Sequence, residues 1–149
     1  MKYIILIFIL TISIFASKWE LHYPYEIDSI ATSWIIKRYI DKNATFVGYE
    51  KNVTLNKRFS INDKNSRFRR NGRFTAYEMA KRYYKISDKC TNRLVKIIKV
   101  LELMPWKKNE FEDVIEFENG LIPLLPKKSG DINLTKAFLY IDNYCKDKK

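Results

Sequence analysis

The sequence predicts a mainly α fold: a compact array of about five helices with a small two- or three-stranded β element. Three observations predict it. Five stretches place apolar residues at i, i+3 and i+4 spacing, only two or three short runs alternate, and Gly and Pro number just 4 each, too few for a loop-rich scaffold. The 149 residues suit one domain. Hydrophobic residues make up 46% of them, enough to build a core, so wholesale disorder is not expected.

The first segment stands apart from that array. Lys2 precedes Ile4 to Ala16, an apolar run interrupted only by Thr11 and Ser13. A membrane-spanning helix needs about 20 apolar residues, so this run has the length of a signal-peptide core, with cleavage between Ala16 and Ser17. Ile14, three positions before the cut, is larger than such sites prefer. Residues 1–16 are therefore read as a signal peptide and 17–149 as the mature domain, exported to the periplasm. The alternatives are an uncleaved segment anchoring the chain to the inner membrane and, less favoured, a buried helix of a cytosolic fold. Losing Lys2 leaves 27 basic against 17 acidic residues, a formal +10. That excess attracts anions, among which a small anionic ligand suits an exported protein and nucleic acid is the least available; it also serves solubility. A membrane partner follows only if the N-terminal segment stays attached.

Within the mature chain, Trp19 to Tyr25 alternates and contains Pro24, which suits an edge strand. Asp28 is placed to cap a helix in which Ile30, Ala31, Trp34, Ile35 and Arg38 share a face, running to about Ile40. Thr45 to Tyr49 is a second strand candidate. Lys51 to Gly72 is polar and weakly periodic, although Val53, Leu55, Phe59 and Ile61 alternate as a short strand would. It leads into Arg67, Arg69, Arg70 and Arg73, interleaved with Phe68 and Phe74. Arginines between aromatic rings can bind phosphates and stack bases; a solvated loop with docked rings is the plainer reading.

Thr75 and Glu78 have capping-box spacing and open the next helix. Ser87 or Asp88 caps the strongest helix, with Cys90, Leu94, Ile97, Ile98, Leu101 and Met104 on its stripe and Pro105 as its stop. Glu110 to Glu118 forms a fourth helix. Pro123 and Pro126 break the chain, and Asp131 is expected to cap a last helix through Leu134, Phe138, Ile141 and Cys145. Cys90 and Cys145 both fall on apolar stripes, so one disulfide and two buried thiols are both compatible with the pattern.

Residue by residue, Trp19, then Asp28-Ser29-Ile30-Ala31, Trp34-Ile35-Ile36-Lys37-Arg38-Tyr39-Ile40-Asp41 and Ala44-Thr45-Phe46 resemble the chromate resistance family of the ChrB type, in its C-terminal domain. Leu94 to Leu103, Gly120-Leu121 and the block around Tyr140, Asp142 and Tyr144 extend the resemblance more loosely. It implies a role in chromate tolerance. Some members are cytoplasmic regulators with an extra N-terminal domain and others are short exported chains, which this one resembles. Chromate is shaped and charged like sulfate, so the resemblance implies an oxyanion site of Arg, Lys and helix N-termini. One departure is marked. Family members carry His-x-Gly-[DE]-x-Cys-[TS]-[FY]-[DE] before the middle helix, whereas here the stretch is Arg69 to Glu78. Tyr77 and Glu78 stand for the aromatic and the acid, but the His and Cys are absent, and any metal or thiol chemistry of that segment would be lost with them. His22 stands where the family tends to have Arg.

The oxyanion-binding candidates are Lys37, Arg38, Arg70 and Arg73. Each further candidate has a structural alternative. His22 is a general base or a structural histidine, Asp28 a site acid or a cap, and Trp34 a ligand contact or a core ring. Arg38 either holds an anion or pairs with Glu78 or Asp142. Neither metal-ligand spacing, a Gly-rich phosphate loop nor a nucleophile elbow is present, and the sequence names no cofactor. Three functions compete: an exported oxyanion binder, a periplasmic enzyme using His22, Asp28 and Glu78, and a nucleic-acid or partner-binding module that is not exported.

Overall fold

A computed structural model describes residues 16–147 of the chain. The predicted signal segment before Ala16 lies outside the described residues. Among those described, no helix is long and apolar enough to cross a membrane.

The described residues form five α-helices, three short π- or 3-10-helical turns and a three-stranded sheet, so the mainly α expectation holds. Strand β1 (Lys18–Tyr23) stops at Pro24, which cannot donate to a ladder. Helix α1 (Ile27–Ile35) continues as a π-helical turn over Ile36–Ile40 and delivers the chain to β2 (Thr45–Glu50). β1 and β2 pair in parallel, from Lys18 opposite Thr45 to Tyr23 opposite Glu50, because a helix long enough to cross the sheet separates them. A two-residue β3 (Gly130–Asp131) pairs antiparallel with β2, placing β2 in the middle. Gly130 has φ +103°, which a side-chain-bearing residue adopts only under strain.

The remaining helices are α2 (Ala76–Tyr83), α3 (Lys89–Leu103), α4 (Glu112–Leu121) and α5 (Thr135–Asp147). The Thr75 side chain accepts from the Glu78 amide, which is half of the expected capping box because the Glu78 carboxylate turns to Arg82, and Asp88 forms a reciprocal capping box with Thr91. Every residue of α1 is buried, including Asp28, Ser29, Thr32 and Ser33. Thr32 and Ser33 donate to the carbonyls of Asp28 and Ser29 one turn back, at 2.7 and 2.8 Å. The Thr32 and Ser33 hydroxyls therefore cross the core with their donors satisfied by the helix itself.

Three sequence expectations are corrected. Asp28 does not cap α1: the N-cap position is Glu26, and Asp28 lies inside the first turn. Asp131 does not cap α5; it belongs to β3, and the Asn133 side chain accepts from the Thr135 amide instead. The alternating run from Val53 to Ile61 forms only single bridges, Glu20 to Ser60 and Ile61 to Phe68, and Val53 is exposed. That segment still covers the outer edge of β1, with Glu20 N donating to Phe59 O and Ile61 N to Glu20 O.

Gly48 on β2 packs under the buried Tyr25. A Cβ built there falls on the Tyr25 hydroxyl and its ring carbons, and that hydroxyl donates to the Lys128 carbonyl at 2.9 Å. Gly48→Ala is expected to cost about 1–3 kcal/mol, the usual range for overpacking, read as a lowered urea midpoint with an unchanged slope.

Candidate functional site

The cations named from sequence separate into distinct surroundings. Arg70 is tied into a polar knot. Its guanidinium pairs with Glu102 and, at 3.3 Å, with Glu26, while its backbone N donates to Asn62 Oδ1. The other oxygen of Glu102 accepts from the Asp28 amide at 3.2 Å. Burial pushes the Glu102 carboxyl up, and Arg70 works against that push.

Asp28 stands at the centre of the knot. Its two carboxylate oxygens accept from the Ala76 and Tyr77 amides, both at 2.8 Å. It is a cap after all, but for α2. Burial pushes its carboxyl up to about 7, against the opposing pull of the Tyr77 and Ala76 amides.

Arg38 pairs with Asp142, one of the two partners expected. Nη2 reaches Oδ2 at 2.6 Å and Nε reaches Oδ1 at 3.1 Å. Trp34, buried on α1, adds its indole N–H to Oδ1 at 2.8 Å. Burial raises the Asp142 carboxyl, but these donors more than offset it and hold the group below the usual carboxylate range. The arginine stays partly exposed, with 36% of its side chain reachable by solvent.

Arg73 lies over the Phe74 ring at 5.3 Å, a ring that Arg82 and Lys99 also approach. Glu78 is buried beside that group. Its Oε1 accepts from Arg82, and its Oε2 sits 3.6 Å from Lys99 Nζ without a hydrogen bond. His22 lies elsewhere, near the end of β1. Nε2 faces the Val53 carbonyl at 2.9 Å, so that nitrogen carries the proton, and Nδ1 is 3.7 Å from Asp63. The three residues of the enzyme reading thus have separate partners: His22 binds a loop carbonyl, Asp28 caps α2 and Glu78 pairs with Arg82 and Lys99.

Lys37, the one oxyanion candidate not yet placed, opens onto a basic pocket. The chain turns from α1 into the π-helical turn at this point, and Lys37 Nζ donates to the Ala44 carbonyl at 2.8 Å. An ammonium has three donors, so two remain. The pocket holds about 580 Å3 and is lined by Lys37, Lys18, Thr45, Asp131, Asn133 and Thr135, with Phe138 behind. Two strand starts and the first turn of α5 meet there. The first-turn amides of a 13-residue helix have no acceptor within the helix and carry partial positive charge. Two ammonium groups therefore face one carboxylate, Asp131, beside a helix N-terminus.

The family model described as ChrB, C-terminal domain matches residues 19–144, almost the whole of the described chain. The chain belongs to the ChrB C-terminal domain family. Membership places this ChrB-type domain in a chromate-resistance-related group. No curated protein and no solved structure matches it. The matched span starts at the first buried residue of β1 and ends at the last buried residue of α5, so it contains all of the sheet but Lys18 and all but the final residues of the last helix. Trp34, Arg38 and Asp142, on which much of the resemblance rested, meet in one bonded cluster.

Sequence reasoning missed Lys18, Asn133 and Thr135 in the pocket, and the partly buried Glu102 and buried Asp63 among the acids. Lys18 looks like any exposed strand lysine. The spacing of Asn133 before the apolar stripe of α5 is a readable capping signal that competes with Asp131.

Proposed function

We propose that this ChrB-type domain works outside the cytoplasm and binds a small tetrahedral oxyanion of the chromate or sulfate kind between Lys18, Lys37 and the N-terminus of α5. The observation that carries the reading is the pocket itself: two lysines from separate elements converge with a helix N-terminus, in a protein of a chromate-resistance-related family. Lys37 is held toward it by the Ala44 carbonyl, which reduces the ordering cost of capturing an anion. Arg38, Arg70 and Arg73 contribute to this site only through the general positive potential, since each is engaged by a carboxylate or a ring. Export is supported by the apolar run from Ile4 to Ala16 and by the disulfide that joins Cys90 to Cys145, a bond that persists in oxidising compartments.

Titration of the mature domain with chromate, sulfate and phosphate tests the site. An anion at about 100 times its Kd raises stability by about 2.7 kcal/mol, read as an upward shift in melting temperature. Lys37→Ala is expected to weaken binding at least about tenfold, equal to about 1.4 kcal/mol. Asp131→Asn is expected to tighten it by removing the opposing charge. Melting that ignores all three anions, or a Lys37→Ala domain that binds as well as the parent, overturns the assignment. N-terminal sequencing of the protein from the periplasmic fraction is expected to begin at Ser17; recovery from the cytosol with Lys2 attached removes the export half.

A further inference from the structure

The Cys90–Cys145 bond is not sealed in the core. Both cysteines are only partly buried, and together they line two surface pockets, of about 530 and 500 Å3, so the bond is reached from either side. The first pocket adds Lys89, Arg93 and Lys96, and the second Arg38 and Lys146. Five cations thus surround the bond. Asp142 and Asp113 offset Arg38 and Arg93, and Asp88 accepts from the Thr91 amide and Tyr39, so the excess positive charge beside the bond comes from Lys89, Lys96 and Lys146.

The two sulfurs are not equivalent. Cys90 is in the first turn of α3, at the positive end of that helix, whereas Cys145 is in the last turn of α5, at the negative end. A thiolate is stabilised at the first position and disfavoured at the second. Apart from the bond, α5 is docked through Ala137, Phe138, Ile141 and Tyr144, which are buried.

We propose that this bond is a thiol–disulfide exchange site selective for small anionic thiols. The thiolate RS⁻ attacks Sγ of Cys145. The Cys145–S–SR bond forms as the Cys90–Cys145 bond breaks, and the electron pair departs on Cys90 Sγ as a thiolate at the start of α3. A second thiol then attacks the R-group sulfur, releasing RSSR and the Cys145 thiolate, which takes up a proton. Two thiols are oxidised to one disulfide and the protein bond is reduced by two electrons.

The test uses the oxidised, folded protein with two small thiols of opposite charge, glutathione and cysteamine, each rate normalised to its own thiolate concentration. Glutathione is expected to react at least about ten times faster at low salt, and the two rates to converge in 1 M salt, where the screening length is about 3 Å. Acid quenching and peptide mapping are expected to place the glutathione adduct on Cys145 and leave Cys90 open to alkylation. Lys89→Gln with Lys96→Gln, both exposed positions, is expected to slow glutathione several-fold and leave cysteamine no slower. Circular dichroism recorded in parallel confirms that the reacting protein is folded. Exchange only after unfolding, an adduct on Cys90, or equal rates for the two thiols overturns the proposal.

Discussion

Asp28→Ala is expected to lower stability by about 3–5 kcal/mol, the largest effect of any single substitution considered. Its carboxylate is fully buried and accepts from two α2 amides, Ala76 and Tyr77. Alanine leaves both donors buried without an acceptor, at about 1–3 kcal/mol each, and opens a void beside the Arg70–Glu102 pair. Equilibrium urea unfolding at fixed pH reads the loss. The pH dependence gives an independent check. Asp28 titrates at about 7 in the folded protein and near 3.8 when unfolded. Between those values the native state keeps a proton that the unfolded state has released. Stability therefore falls as pH rises from about 4 to 7, by on the order of 4 kcal/mol across the window. Glu102, also raised, adds in the same direction. Asp41 and Asp142 have lowered values, and their contribution is lost as pH falls through the acid range. Maximum stability is expected on the acid side of neutrality. Asp28→Asn should flatten the decline, because an amide has no proton to lose; a parent protein whose stability climbs between pH 4 and 7 contradicts the argument.

Removing the disulfide is expected to cost nearly as much. Cys90 and Cys145 are 55 residues apart, and closing a loop of that length restricts the unfolded chain by about 4 kcal/mol in the chain-entropy description. The bond joins the first turn of α3 to the last turn of α5, so its loss acts mainly on the unfolded ensemble. Replacing both cysteines by serine should move the urea midpoint down by more than about 1 M for a slope of about 1–3 kcal/mol per M. An unchanged midpoint excludes a stabilising role.

What could be read from the chain divides by range. Signals within one stretch of chain were legible: Thr75 before Glu78, Ser87 or Asp88 as the cap of α3, and the apolar stripe of that helix. Asp28 has the same chemistry as those caps, yet its acceptors serve amides 48 and 49 residues downstream, and no local pattern distinguishes a residue that caps its own helix from one that caps another. The last strand was invisible because two residues have no periodicity. Arg38 was narrowed to two partners by charge alone, and only the approach of α5 to α1 selects Asp142 over Glu78. The pocket needed three elements placed in space, so Lys37 was named from its motif while Lys18 passed unnoticed.

The long reach of the Asp28 carboxylate orders events during folding. An eight-residue helix is too short to persist alone, and α2 receives two of its terminal bonds only after α1 has docked. Exchange of the Ala76 and Tyr77 amides with deuterium should therefore require opening of the whole domain rather than fraying of one end. A peptide spanning 72–86 should be unstructured in water, and mutations within α2 should accelerate unfolding while leaving the refolding rate nearly unchanged.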